Sequence, residues 1–254
     1  MGFMKVEFYS EALEQTVPIN VALPKINKDN LNKKYQVLYL LHGASDDYSK
    51  WARRVPIERV TREKELIVVM ADAGLSFYSN TADSYNYWDF FSSELINFVD
   101  GHFPTVSDRE HRMVAGLSMG GFGSLKLGIL NPEKFSKIGS FSGAAMPDEL
   151  YTNSFSEHKF IQTKNTAANF IENGFGPASE FNESANDLLY QLKKAKDLPK
   201  MYISCGDSDF LIEMNRAFHQ TLNEMEIPHT YEEWPGDHDW DFWEESLKRF
   251  VKTI

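Results

Sequence analysis

The sequence predicts an α/β protein: a mostly parallel central sheet, helices on both of its faces, and a small cap insertion. Two observations predict it. From Tyr35 onward, short apolar runs alternate with stretches whose apolar residues recur every three or four positions, as buried parallel strands and their covering helices require. One run, Met113-Val114-Ala115, passes directly into Gly116-Leu117-Ser118-Met119-Gly120-Gly121, which reads as strand, sharp turn and helix start.

The elements follow in order. Val6, Phe8 and Tyr9, then Val17, Ile19, Val21 and Leu23, form an antiparallel pair feeding the sheet edge. Buried strands are expected at residues 37–41, 66–70, 113–115, 138–141 and 201–204, with a last strand at 229–234. Between them, Phe91-Leu95-Phe98-Val99, Phe122-Leu125-Ile129, Met214-Phe218-Leu222-Met225 and Trp243-Leu247-Phe250-Val251 trace amphipathic helices. The rhythm breaks over about 145–199, where Asn173-Gly174-Phe175-Gly176-Pro177 separates short helical pieces. This is read as a cap-like insertion in one domain spanning residues 1–254, placed to shape a pocket at the carboxyl ends of the strands.

Composition narrows the function. With 254 residues, 42% of them hydrophobic, the chain can bury one large core. The 26 basic and 37 acidic residues give a net charge of -11, which repels nucleic acid and anionic membrane surfaces, so a small-molecule substrate is expected. Self-association into a homo-oligomer stays open. A single cysteine, Cys205, permits no internal disulfide and reads as a filler at a strand end. The start MGFMKVEFYSEALEQ lacks a basic stretch leading into a long apolar core, and Val6 stands where myristoylation needs Ser or Thr. No apolar run is long enough to span a membrane, and a cytoplasmic protein is expected.

Gly116-Leu117-Ser118-Met119-Gly120 fits G-x-S-x-G, in which a serine hydroxyl is held exposed on a strained strand-to-helix turn. Gly121 and Gly123 would let the following helix approach the sheet. A serine is a weak nucleophile at neutral pH, so it needs a base oriented by a carboxylate. With the chain order Ser, acid, His, only residues after Ser118 qualify. His158 falls in the insertion, His219 inside a helix, and His229 at the start of a strand. His238, in the loop Pro235-Gly236-Asp237-His238-Asp239 beyond the last strand, is the expected base. The carboxylate should follow the strand at 201–204, where spacing leaves both Asp207 and Asp209 open. Oxyanion donors are expected from the Met119 N–H and, in the loop Leu41-His42-Gly43-Ala44, from the Ala44 N–H. His42 precedes the serine and is read as a support for that loop. The carboxylates around His238 lack metal-site spacing, so neither a metal nor a cofactor is expected.

The set Leu40-Leu41-His42-Gly43, Trp51, Gly116 to Gly121, Cys205-Gly206-Asp207-Ser208-Asp209-Phe210-Leu211 and Pro235 to Trp240 resembles the esterase D family of α/β-hydrolases. That family includes tributyrin-type short-chain esterases, feruloyl esterases, S-formylglutathione hydrolases and mycolyltransferases. The resemblance implies Ser118 as nucleophile, His238 as base and, through the family's G-x-x-D pattern, Asp209 as the acid. It is closest to the tributyrin esterases, in which a tryptophan-containing helix start follows the histidine. Asp239-Trp240 departs from the Ser-Tyr-Tyr that tends to follow the histidine of S-formylglutathione hydrolases. Feruloyl esterases are the alternative. Trp51, Tyr78, Tyr87 and Trp88 are the candidate substrate contacts, since aromatics at the rim could stack on a cinnamoyl ring or a sugar.

Overall fold

In the computed structural model, which describes residues 1–81, 85–146 and 171–254, the chain begins as a hairpin. Its strands are β1 (Gly2–Ser10) and β2 (Gln15–Leu23), paired with Val6 opposite Ile19. Next come β3 (Val37–Leu41), the short helices α1 (Lys50–Arg54) and α2 (Ile57–Thr61), and β4 (Ile67–Ala71). One helical run, α3, joins Tyr87–Asp89, a π-type turn at Phe90–Glu94 and Leu95–His102. Then follow β5 (Arg112–Leu117), α4 (Met119–Leu130), β6 (Lys137–Phe141), α5 (Leu188–Lys194), β7 (Lys200–Gly206), α6 (Ile212–Glu224), β8 (His229–Trp234) and α7 (Trp240–Lys252).

The eight strands form one sheet in the order β1-β2-β4-β3-β5-β6-β7-β8, antiparallel only at β1/β2 and β2/β4. Every residue of β3, β4 and β5 is buried, and apart from Arg112 their sequences are apolar, as burial on both faces requires. Alternation sorts the side chains onto two layers. Val37, Tyr39 and Leu41 join the layer under α3, α4 and α6, whereas Leu38 and Leu40 join Met113, Ala115 and Leu117 under α2 and α7. From β3 the chain goes to β4 on one side and later to β5 on the other, so the β3 and β5 ends meet where the strand order reverses. Open α/β sheets bind ligands at such a point.

One difference from the sequence expectation has a physical cause. Helix α4, expected to be amphipathic, is buried from Met119 through Ile129. Its outer side is closed by Phe77 and Phe175, 5.9 and 5.0 Å from the Phe122 ring, and by Tyr78 against Gly123. Of the 145–199 stretch, residues 147–170 lie outside the described residues. The later part packs inward through Ile171, Phe175, Phe181, Leu188 and Leu192. Among the described residues no helix is long and apolar enough to cross a membrane.

Candidate active site

Ser118 sits between β5 and α4 with φ 53° and ψ -117°, a conformation a side chain rarely adopts and one held only by its surroundings. Its N–H donates to the Phe141 carbonyl at 2.9 Å. Its carbonyl accepts from the N–H groups of Gly121 (2.9 Å), Phe122 (3.2 Å) and Ala144 (3.3 Å). The flanking glycines are steric requirements. A Cβ on Gly116 would overlap the Gly120 carbonyl, and one on Gly120 would come within 2.6 Å of the Leu41 and His42 carbonyls. The β3 loop, the β5 end and the first turn of α4 therefore touch backbone to backbone.

Two other loops converge on the hydroxyl. His238, in the loop after β8, places Nε2 3.0 Å from Ser118 Oγ. On the other side of the ring, Nδ1 lies 2.9 Å from Asp209 Oδ2 and 3.0 Å from Oδ1. The partners assign the proton: Nδ1–H donates to the carboxylate, which leaves Nε2 to accept from the serine O–H. Asp209 is sealed from solvent, and its Oδ1 also accepts from the Leu211 N–H at 2.8 Å. Asp207, the other carboxylate open at the sequence level, is exposed and takes the N–H of Gly236 and the hydroxyl of Ser208 instead. Phe210 and Trp243 wall the imidazole at ring distances of 4.4 and 4.9 Å. A hydroxyl, an imidazole and a carboxylate linked in this way can take a proton from the oxygen as it attacks a carbonyl and return it to a leaving group. Burial, and then the Asp209 charge, push the Cys205 thiol up, so it stays protonated and inert beside them.

The loop after β3 leans on the serine, since a Cβ on Gly43 would stand 3.4 Å from Ser118 Cβ. His42 supports this loop with both ring nitrogens. Nε2 accepts from the Ala73 N–H at 2.8 Å, so Nδ1 carries the proton and donates to the Gly43 carbonyl at 2.8 Å. With that carbonyl turned toward the ring, the planar trans peptide points the Ala44 N–H the opposite way. Among the described residues, neither the Ala44 nor the Met119 N–H donates to a backbone carbonyl. The Met119 N–H belongs to the open first turn of α4, where the helix offers partial positive charge.

The four aromatic candidates divide. Trp51 and Tyr78, expected as substrate contacts, are sealed beneath the loops rather than presented on the site's surface. The Trp51 indole donates to the Leu41 carbonyl at 2.8 Å and packs edge-on against Trp240. The Tyr78 hydroxyl donates to the His42 carbonyl at 2.8 Å. Tyr87 and Trp88 are half-buried at the start of α3, and burial pushes the Tyr87 phenol up to about 12. A cavity of about 340 Å³ lies between Ala145, Met146, Phe181, Leu188 and Tyr190, one residue beyond the Ala144 that touches the serine carbonyl.

Sequence reasoning missed two buried polar groups that frame the site. Asn215 on α6 donates to the carbonyls of Gly143 (3.0 Å) and Leu211 (2.9 Å), tying together the loops that follow β6 and β7. Its only signal was a polar residue beside the Met214-Phe218-Leu222 stripe. Lys126 on α4 is fully buried, with Nζ 2.7 Å from Ser79 Oγ and 4.8 Å from the Trp88 ring. Burial lowers its pKa to about 7. Ser79 in turn donates to Asn186 Oδ1 at 2.9 Å, so the lysine links the rim to the later part of the insertion.

Comparison with known proteins fits this geometry. The family model described as "Putative esterase" matches residues 10–254. An acetyl esterase of Caldicellulosiruptor saccharolyticus is 30% identical over 260 residues, covering 96% of this chain and 94% of that protein. Among solved structures, the fluorophosphonate-binding serine hydrolase FphF of Staphylococcus aureus superposes with a TM-score of 0.88 at 30% identity, over 99% of this chain and 97% of that one. The S-formylglutathione hydrolase FrmB of the same organism gives 0.85 at 30% identity, over 99% and 98%.

Proposed function

The chain belongs to the esterase family, within the α/β-hydrolase fold, and from that membership we propose a serine carboxylesterase that hydrolyses short-chain acyl esters through an acyl-enzyme. The observation that carries the reading is the unbroken line of contacts from Ser118 Oγ through His238 to Asp209. Ser118 Oγ attacks the ester carbonyl while its proton passes to His238 Nε2. The oxyanion then forms against the N–H groups of Ala44 and Met119, at the positive end of α4. As the intermediate collapses, His238 gives the proton to the departing alcohol and the acyl group stays on Ser118. Water repeats the sequence in reverse, releasing the acid and restoring the hydroxyl. Asp209 holds the Nδ1–H tautomer and stabilises the imidazolium in both halves.

The short-acyl preference is supported by the acetyl esterase relative and by the modest cavity beside Ala145 and Met146. The test compares initial rates on p-nitrophenyl acetate to octanoate, methyl ferulate and S-formylglutathione. Activity is expected to fall as the acyl chain lengthens, and Ser118→Ala to lose about a million-fold in kcat. A variant keeping more than roughly a thousandth of the parental rate would overturn the nucleophile assignment. Methyl ferulate with the highest kcat/KM would move the specificity to the aromatic rim at Tyr87 and Trp88. S-formylglutathione outrunning the oxygen esters would make the protein a thioesterase.

A further inference from the structure

The β1 end of the sheet is a long edge without proline or bulge. β1 pairs with β2 along one side, and among the described residues no strand covers the other. Nine consecutive residues pair without a bulge, none of them proline, leaving a long row of outward N–H and C=O groups. Phe3, Met4 and Tyr9 are 48%, 45% and 62% exposed along it. Such an edge pairs with another strand unless something prevents it.

The side chains select the partner. Lys5 and Glu7 stand on one face of β1, 3.1 Å apart, with Val6 between them on the other. A two-fold axis at Val6, running the edges antiparallel, sets Lys5 opposite the partner's Glu7 and Glu7 opposite the partner's Lys5. The same operation sets Phe3 opposite the partner's Tyr9 and Met4 opposite the partner's Phe8. An axis at Lys5 or at Glu7 would instead place like charges directly opposite, which destabilises a strand pair. One register is therefore favoured by its charges and its apolar residues together.

The helix layer is complementary in the same sense. Phe8 is covered by α3, with its ring 3.9 Å from Phe98, whereas Met4 on the same face is left open. A groove of about 590 Å³ flanks the far half of β1, between Phe8, Tyr9, Ala12, Glu94 and Phe98. The two-fold brings the partner's Met4 to this groove and gives Met4 the equivalent shelter.

We propose that the β1 edge is the self-association surface of this protein: two copies pair β1 to β1 about Val6 and form one continuous sixteen-stranded sheet across an isologous interface. The test is sedimentation velocity on the full chain, with p-nitrophenyl acetate turnover as the check on folding. The parent is expected to be a dimer. K5E alone and E7K alone each make every cross-edge charge pair repulsive, and each should raise the dimer dissociation constant at least about tenfold. Mixing K5E with E7K sets acid against base at every pair and should restore a dimer. As a second readout, the F3C/Y9C variant should oxidise to a covalent dimer, since Cys205 is buried and cannot compete. A parent that stays monomeric at high micromolar concentration overturns the proposal. So do K5E and E7K variants that remain as dimeric as the parent, because the copies then meet through another face.

Discussion

Replacing Lys126 with methionine removes a buried charge while keeping an unbranched side chain, and its effect on stability should depend on pH. The lysine's pKa is about 7 in the fold and near 10.5 when the chain is unfolded. Between those values the unfolded chain holds one proton more than the folded one, so the parent's stability rises with pH at about 1.4 kcal/mol per unit. Below about pH 7 both states are protonated and the burial penalty is at its full extent. Methionine carries neither the penalty nor the slope. The advantage of Lys126→Met over the parent should therefore be largest at neutral and acidic pH. It should shrink by about 3 kcal/mol between about pH 7.5 and about pH 9.5. For a chain of 254 residues that is about 6 °C in the difference between melting temperatures. Paired calorimetric scans of parent and variant across this range measure it directly, because all other titrating groups cancel in the difference. Parallel melting curves for the two proteins would refute the reasoning and require a charged Lys126 in the fold.

Three further outcomes are expected. Asp209→Asn should keep its fold and lose about 10⁴ in kcat, while Asp207→Asn should stay close to the parent on the same ester substrates. Gly123→Ala drives a methyl into the Tyr78 ring and should lower stability by about 1–3 kcal/mol. Because the Tyr78 hydroxyl holds the His42 carbonyl, kcat should fall as well, which melting and steady-state kinetics together would reveal. Trp51→Phe leaves the Leu41 carbonyl without its indole donor and should lower stability by about 1–3 kcal/mol in urea titration.

The strands and the residues brought together at the candidate site were legible in the sequence for one shared reason. A strand buried on both faces is mostly apolar, so β3 to β7 stand out as apolar runs, and Ser118 and Asp209 lie just beyond the points where such runs stop. Ser118 could be picked out in that way, and His238 by its place in the loop beyond the last strand. Asp209 could not be separated from Asp207 by spacing, because which of the two faces His238 depends on the turn that follows β7. The aromatic stretch misled for a different reason. Phe77 and Tyr78 have φ of 51° and 56°, and this left-handed pair turns both rings inward against α4. Nothing in the local composition encodes that inversion. The sequence around Lys126, Phe122 to Leu130, is apolar on every side, the pattern of a buried helix, but it does not show what receives the lysine's charge. Its burial comes from Ser79, Trp88 and Asn186, which are remote in the chain.

The backbone contacts among Gly116, Gly120, Leu41 and His42 have a consequence for how such a protein can change over generations. Any side chain placed at Gly116 or Gly120 meets a neighbouring carbonyl, so those two positions are closed to substitution. The partly exposed Met146 and Tyr190, which line the cavity beside the site, meet no such backbone barrier. Heritable variation is thereby channelled away from the glycine framework and into the residues that line the cavity beside it.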